Sequence, residues 1–334
     1  MPVVQLGPPE ATHAHGFTNL GSVYETADGN VIVADSPDEG LFALGKNLDQ
    51  MHMVGSFGSG PQEYQNSVGT MQFADDSAMQ IDGLARRWLI LAGDSIVAQF
   101  PADSLSFAAR SHITGADSLG NVLIQAIERA TPSGTTVDPA DSVWLILCSR
   151  RTGSVDTVSR LRPLPPSPPG KTVTPAEYWY AEQAFLSLDG WLAVLRLEPY
   201  RIDWRAPDGK WTLGAPIGRE MPILDDAEKE HLLARSGTRV GADFRERINW
   251  PDRIPPVGFQ FPSRTTTRDG MLVVSRQRTR TVPDGLYDVI DRTGRLVRQV
   301  QLDPGQRIIG FGKGSVYVVS EDDDGLQFLS RHGW

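Results

Sequence analysis

A tight turn recurs along the chain, and its spacing constrains the fold more than any other feature of the sequence. The first residues of these turns are 47, 44, 70, 80 and 44 positions apart. A four-stranded propeller blade repeats every ~40–50 residues, so three spacings match one blade and two require insertions. The sequence therefore predicts six repeats, with turns at Asp28-Gly29, Asp75-Asp76, Leu119-Gly120, Asp189-Gly190, Asp269-Gly270 and Lys313-Gly314.

The segments between the turns have the pattern of short strands. The apolar pattern has a period of two over short runs, and turn residues bound each run, as in strands. A helical pattern is nearly confined to Thr174–Ala184 and Pro222–Arg235. The clearest strand-like runs are Val31–Val33, Trp88–Leu91, Val143–Leu147, Met271–Val274 and Val316–Val319.

These patterns predict an all-β protein, a six-bladed β-propeller of four-stranded blades forming a single domain over residues 1–334. Two insertions, at about 162–182 and 218–262, account for the residues beyond six blades. The last repeat lacks a fourth strand, and we expect Val3–Leu6 to supply it and close the ring, which removes an exposed edge. Two separate β domains are the alternative, and they would leave both chain ends unpaired.

A glycine-rich segment and the last third of the chain resemble a known family. Gly58, Gly60, Pro61, Glu63 and Tyr64 match the Gly-x-Gly-Pro-x-Glu-aromatic run that precedes a blade in bacterial six-bladed propellers related to NHL repeats. The segments at 254–256, 269–270 and 287–296 follow the order of that family. The resemblance implies a propeller fold and an extracytoplasmic protein, often a lipoprotein, and it transfers no catalytic residues.

Charge and composition narrow the partners and the compartment. A formal net charge of −9 argues against nucleic acid as a partner. No apolar run reaches the ~20 residues of a membrane span, and the first residues do not have the pattern of a signal peptide. One cysteine, Cys148, excludes an internal disulfide. We expect a monomer, extracytoplasmic with its export signal absent from this chain, or alternatively cytoplasmic.

The long connections of the predicted ring all fall on one side. In a four-stranded blade, the first-to-second and third-to-fourth turns lie on one face, and the other connections lie opposite. We call the first the short-turn face, formed by residues 27–29, 92–95, 150–153, 189–190, 206–209 and 292–294. We call the second the long-loop face, formed by residues 7–18, 55–67, 127–141, 162–182, 218–262 and 277–285. Long loops on a rigid scaffold favour a binding or catalytic role for that face.

Arginine and aromatic side chains are the candidate ligand-binding groups of the long-loop face. Innermost strands should begin there, and second strands should end there, which brings four arginines to the channel mouth. Four guanidinium groups would attract carboxylate or phosphate, unless Asp35, Asp82 and Glu321 pair with them. Tyr178 and Trp179 lie in a long loop and suit sugar, peptide or protein contacts. The four arginines are Arg196, Arg264, Arg276 and Arg307.

Three histidines are the candidate metal ligands. The spacing of His13 and His15 points both imidazoles to one side of a strand, and His112 begins the predicted innermost strand of the third blade. Three neutral imidazoles could hold zinc with an open position for water. The acidic run at 321–325 carries calcium-type ligands but lacks the spacing of a calcium loop. The residues assign no cofactor, and zinc and calcium are the candidate ions.

Two functions follow from these features. The first is a non-catalytic propeller that binds a protein, a small molecule or a carbohydrate at its long-loop face. The alternative is a metal-dependent lyase or hydrolase that uses a histidine-lined site at the channel mouth. The sequence favours the first, because no nucleophile, phosphate-binding or metalloprotease motif is present.

Overall fold

The computed structural model describes residues 2–35, 40–66, 70–73, 76–101, 111–126, 143–162, 170, 182–218, 221–235, 242–258 and 265–334. These residues form six four-stranded sheets and one two-stranded sheet. The four-stranded sheets are the blades of a ring, numbered in chain order, and the predicted six-bladed β-propeller is confirmed.

The first three blades are simple antiparallel meanders. Blade 1 contains β3 (Leu20–Glu25), β4 (Val31–Asp35), β5 (Gly40–Leu44) and β6 (Met51–Met53). Blade 2 contains β9 (Thr70–Phe73), β10 (Ser77–Asp82), β11 (Arg87–Ala92) and β12 (Ser95–Pro101), and the two-stranded sheet of β7 (Ser56–Phe57) and β8 (Glu63–Tyr64) precedes it. Blade 3 contains β13 (Ser111–Ala116), β14 (Asn121–Ala126), β15 (Val143–Ser149) and β16 (Val155–Leu161).

The last three blades include the N-terminal segment. Blade 4 contains β17 (Gln183–Leu186), β18 (Leu192–Leu197), β19 (Tyr200–Arg205) and β20 (Trp211–Thr212). Blade 5 contains β21 (Leu272–Ser275), β22 (Leu286–Ile290), β23 (Leu296–Gln301) and β1 (Val3–Gln5), with bridges from Thr266 and Val257 on its inner side. Blade 6 contains β24 (Arg307–Gly312), β25 (Ser315–Glu321), β26 (Gln327–Gly333) and β2 (Ala11–Thr12).

The N-terminal segment closes the ring, but not with the strand expected from the sequence. β2 pairs antiparallel with β26 and completes blade 6, whereas β1 pairs in parallel with β23 and extends blade 5. The prediction that Val3–Leu6 completes the last blade is wrong. Two histidines hold the connecting stretch in place, because His332 Nδ1 bonds Gly7 O at 2.8 Å and His13 Nδ1 bonds Leu48 O at 2.7 Å.

The recurrent turns have the predicted conformation at every site where both residues are described. Gly29 has a φ of 86° and Gly270 a φ of 82°, in the left-handed region that glycine adopts without steric cost. In these two turns the glycine N–H donates to a carbonyl three residues earlier, Thr26 O and Thr267 O respectively. The turn at Asp75-Asp76 lies partly outside the described residues.

The core lies between neighbouring blades. One buried cluster joins Leu20 and Val23 of blade 1 to Ile309 and Tyr317 of blade 6, and others join the remaining seams. Each sheet therefore buries both faces, and removal of this apolar surface from water is the main force that holds the ring together.

The second insertion contains two helices. α1 (Asp226–Arg235) begins four residues after the predicted start, and α2 (Ala242–Arg247) has no counterpart in the sequence prediction. The predicted helix at 174–184 lies outside the described residues except at its end, where Gln183 begins β17. Among the described helices, none is long and apolar enough to cross a bilayer.

The insertion packs on its own small core. Leu224 and Leu232 bury against Ile254 and Trp250. Asp225 caps α1, its Oδ1 accepting from Glu228 N at 2.7 Å.

Candidate functional site: the channel mouth on the long-loop face

The innermost strands begin at the mouth of the channel on the long-loop face, as the sequence predicted. Leu20 pairs with Asp35, and Arg307 with Val319, so each innermost strand begins where its partner ends. Gln183, at the start of β17, donates from Nε2 to Gly258 O at 3.4 Å. This contact ties the second insertion to the inner strand of blade 4.

Two buried carboxylates organise the connections that lead into blades 1 and 2. Asp35 accepts from the backbone N–H groups of Thr18 (3.1 Å) and Asn19 (2.6 Å). Asp82, fully buried, accepts from Gln65 N (3.1 Å), and its Oδ2 pairs with Arg87 Nε at 2.9 Å. These acids hold backbone N–H groups of the connections, and Asp82 also holds Arg87.

Two carboxylates of blade 4 neutralise the charge of Arg196. Its Nη1 lies 2.7 Å from Glu182 Oε2, and its Nε lies 3.3 Å from Asp203 Oδ2. Because Arg196 is opposite Arg201 in the β18–β19 ladder, Asp203 is its diagonal neighbour, within reach of a long side chain. Two carboxylates share this charge, so little of it is left to attract a ligand.

Arg276 also has a diagonal carboxylate partner in blade 5, but only one, and its Nε is buried without a partner among the described residues. Its Nη1 lies 3.4 Å from Oδ2 of Asp288, a fully buried residue that Gln299 also contacts. Burial raises the pKa of the Asp288 carboxyl, although Gln299 and Arg276 oppose that shift. Burial likewise raises the pKa of the neighbouring Tyr200 hydroxyl. This group is a buried network in the seam between blades 4 and 5.

Arg307 differs from Arg196 and Arg276 in its hydrogen-bond partners. Its Nη2 donates to Leu20 O at 3.1 Å and to Gln327 Oε1 at 2.8 Å, and both acceptors are uncharged. Its Nη1 is buried and makes no hydrogen bond to any residue that the structure describes. Burial lowers the pKa of Arg307, yet the guanidinium stays charged at neutral pH. No carboxylate among the described residues forms an ion pair with it.

The other predicted ligand-binding residues, Arg264, Tyr178 and Trp179, lie outside the described residues.

The structure brings two of the three predicted metal ligands together. The rings of His13 and His15 lie 5.6 Å apart, centroid to centroid, and His13 Nε2 is buried without a described partner. Both follow β2 on the outer side of blade 6, whereas His112 lies in β13, the innermost strand of blade 3. Blades 3 and 6 are three places apart around the ring. The side chain of His112 lies outside the described side chains.

The candidate calcium segment forms a self-bonded turn. Asp322 Oδ1 accepts from Asp324 N at 3.0 Å and from Leu326 N at 2.9 Å. Within the described part of the chain, no group of three or more His, Cys, Asp or Glu side chains is arranged to hold a metal ion.

The glycine-rich segment at 58–64, which carries the family resemblance, is held in place by structural hydrogen bonds. Glu63 Oε2 accepts from Gly60 N at 2.7 Å, and Tyr64 is fully buried with its hydroxyl accepting from Leu41 N at 2.9 Å. Arg87 donates from Nη2 to Glu63 O at 2.7 Å. Sequence reasoning missed Arg87, whose only signal was its position opposite Asp82 across a tight turn.

The solved structures confirm the fold. This chain is a six-bladed β-propeller. Its structure is similar to that of a "putative exported protein" from Bacteroides fragilis NCTC 9343, with 13% identity and a TM-score of 0.53, covering 100% of this chain and 94% of that one. A member of the duf4221 family from Bacteroides vulgatus is similar at 8% identity and a TM-score of 0.50, with 97% of each chain covered.

A third solved structure is also similar. Streptogramin B lyase matches at 10% identity and a TM-score of 0.41, covering 97% of this chain and 85% of that one. No protein-family model matches the chain, and no curated protein matches its sequence. At these identities the likeness concerns the fold alone, so function has to be argued from the site.

Proposed function

We propose that this propeller is a non-catalytic recognition protein that binds a small-molecule, carbohydrate or protein ligand at its long-loop face. The observation that carries the proposal is the state of Arg307 at the channel mouth. Its guanidinium is charged, held by two neutral acceptors and not neutralised by any described carboxylate. The Glu321 carboxylate acts on this charge only across the Gln327 amide, without a direct ion pair. A positioned guanidinium with no described ion-pair partner, on the face with the long connections, suits ligand recognition.

The rest of the proposal concerns organisation and compartment. The whole chain acts as one propeller domain, with the insertions at about 162–182 and 218–262 adding surface to the long-loop face. The protein is extracytoplasmic, a placement supported by its structural likeness to a protein named as exported. Tyr178, Trp179 and Arg264 are proposed to add contacts to the ligand.

A ligand screen followed by mapping of the bound face tests this function. Carboxylates, phosphates, sugars and peptides would be screened by thermal shift, and the best ligand mapped by hydrogen exchange. We expect added protection at 18–20, 183–184 and 307–308, with the turns at 27–29, 189–190 and 292–294 unchanged. Protection on the short-turn face, or chemical turnover of the ligand, would refute the proposal.

The alternative is the metal-dependent lyase or hydrolase with His13, His15 and His112 as ligands. The buried Nε2 of His13, which has no partner among the described residues and lies beside His15, favours a metal there, whereas the position of His112 three blades away opposes a shared site. Elemental analysis of purified protein distinguishes it from the first function. Stoichiometric zinc that is lost in the His13→Ala and His112→Ala variants would favour the enzyme. Zinc that survives the His112 substitution would exclude a three-histidine site.

A further inference from the structure

In the ladders of blades 4, 5 and 6 an arginine has a carboxylate as its diagonal neighbour, at the end of a strand in blades 4 and 5 and at the start of β24 in blade 6. Among the described residues, only the blade 6 arginine forms no ion pair with that carboxylate. In blades 4 and 5, Asp203 and Asp288 lie diagonally across the ladder from Arg196 and Arg276 and form ion pairs with them. In blade 6, Arg307 is opposite Val319, so its diagonal neighbour is Glu321. No ion pair joins Arg307 to Glu321 among the described contacts.

A glutamine explains this difference. Gln327 is directly opposite Glu321, and its Nε2 donates to Glu321 Oε2 at 3.3 Å. The Oε1 of the same amide accepts from Arg307 Nη2 and from Leu20 N, each at 2.8 Å. Gln327 therefore lies between the acid and the arginine, bonding both while neutralising neither. It also links blade 6 to blade 1 at the mouth.

The resulting environment favours an anion. The guanidinium is held in one orientation, is partly removed from water and keeps a buried Nη1 donor that no described acceptor fills. A buried N–H without an acceptor is unfavourable, and a charged acceptor forms the strongest hydrogen bond with it. The chain as a whole carries a net charge of −9, so any attraction of an anion must be local.

We propose that Arg307, positioned by Gln327 and the Leu20 carbonyl, binds a carboxylate or phosphate group of the ligand in the seam between blades 6 and 1. This assignment rests on the proposed binding function and names the chemical class that the long-loop face selects. Leu20 N and Ile308 N are already bonded, to Gln327 Oε1 and the Tyr287 hydroxyl, which leaves the guanidinium, with its buried Nη1, to donate to the anion.

Calorimetric titration of the folded protein with inorganic phosphate and with acetate tests the assignment. We expect saturable binding of at least one anion, and the tighter of the two identifies phosphoryl or carboxylate recognition. Arg307→Gln should weaken it by about tenfold or more, as expected for loss of a charge-assisted hydrogen bond. Arg295→Gln removes the same charge from an exposed position on the short-turn face and should leave binding unchanged.

A charge-neutral exchange provides the second variant. In the double substitution Glu321→Gln with Gln327→Glu, the carboxylate moves next to Arg307 while the guanidinium and the net charge are retained. We expect this variant to fold, as checked by circular dichroism, and to lose anion binding because an internal carboxylate occupies the arginine.

Three results would overturn the proposal: no saturable binding of either anion, an equal loss in Arg295→Gln, or full binding in the exchange variant. None of them bears on the mapped ligand face, so the broader binding function would be judged separately by hydrogen exchange.

Discussion

The two faces of the ring are held together differently. On the short-turn face, side chains cross from blade to blade: Tyr24 bonds Asp76 between blades 1 and 2, and Arg292 bonds Asp189 between blades 5 and 4. Glu25 of blade 1 accepts from Lys313 N, Ser315 Oγ and Tyr317 Oη of blade 6. On the long-loop face, Asp35 and Asp82 hold backbone N–H groups of the connections, and the contact between blades 6 and 1 is made by Arg307 and Gln327 with backbone groups of Leu20.

This difference shows how one scaffold separates stability from recognition. Short turns place side chains of neighbouring blades within hydrogen-bond distance, so that face can be braced by direct contacts. Long connections have to be organised one at a time, and they leave room for a charge such as that of Arg307. The following predictions test whether the two faces behave in this way, beginning with the largest expected effect.

Loss of the Glu25 carboxylate should be the most damaging change. Glu25→Ala removes the acceptor of three donors in a residue only 7% exposed, and unsatisfied buried donors cost about 1–3 kcal/mol each. We expect the free energy of unfolding to fall by about 4 kcal/mol in urea denaturation. The matched control, Glu321→Gln on the exposed rim of the long-loop face, should cost less than about 1 kcal/mol. Equal losses would remove the distinction between the faces.

The second prediction concerns Arg87, which joins Asp82 to the glycine-rich segment on the long-loop face. Arg87→Gln leaves the fully buried Asp82 without its charged partner and frees the Glu63 carbonyl. Breaking a buried pair costs about 3–5 kcal/mol, and the backbone donors that Asp82 keeps should limit the loss to about 3 kcal/mol. Arg295→Gln, with its guanidinium exposed, should change stability by less than about 0.5 kcal/mol in the same denaturation experiment. A small effect of Arg87→Gln would mean that the glycine-rich segment does not depend on it.

Substitution by phenylalanine removes one tyrosine hydroxyl from each face, that of Tyr64 on the long-loop face and that of Tyr24 on the short-turn face. Tyr64→Phe strands the buried Leu41 N–H and should cost about 2 kcal/mol. Tyr24→Phe removes a donor to the exposed Asp76, which keeps its bond from Ala27 N and can be hydrated, so about 1 kcal/mol or less is expected. Chemical denaturation of both variants measures the difference, and the reverse order would contradict it.

The smallest expected effect is the pH dependence that the Cys148 thiol adds to the stability of the fold. Burial raises the pKa of its thiol to about 11, against ~8.5 in an unfolded chain. Between these values only the unfolded thiol ionises, so this group's contribution to stability is complete below about pH 8.5 and is lost as pH rises toward 11. At pH 8, a maleimide should label Cys148 only after denaturation, whereas Leu84→Cys, at an exposed site on the long-loop face, should react at once. Rapid labelling of native Cys148 would contradict the buried assignment.

Much of the ring could be predicted because its determinants are local. A turn such as Thr26–Asn30 is specified by residues within five positions, and strand alternation within seven, so blade number and turn positions follow from the sequence. The closing strand was mispredicted because Val3–Leu6 and Ala11–Thr12 both suit an edge strand. The choice depends on His332 and Gly7, which are 325 residues apart.

The candidate site was only partly predictable for the same reason. Arg196, Arg276 and Arg307 look alike in the sequence, and each was expected at the mouth. Their ion pairing differs because the cross-strand register puts Asp203 and Asp288 within reach of the first two, while Gln327 lies between Glu321 and the third. The predicted approach of His13 to His112 depends on blade order and on inner or outer strand position, which no local pattern encodes.

By itself, the sequence determined the repeat, the turn chemistry and the face that carries the long connections, because each of these depends on residues close together along the chain. Only the tertiary structure decided which strand closes the ring, which acids neutralise which arginines and why the charge of Arg307 remains available. Those outcomes depend on register and on seams between blades, where partners distant in sequence compete for the same hydrogen bonds.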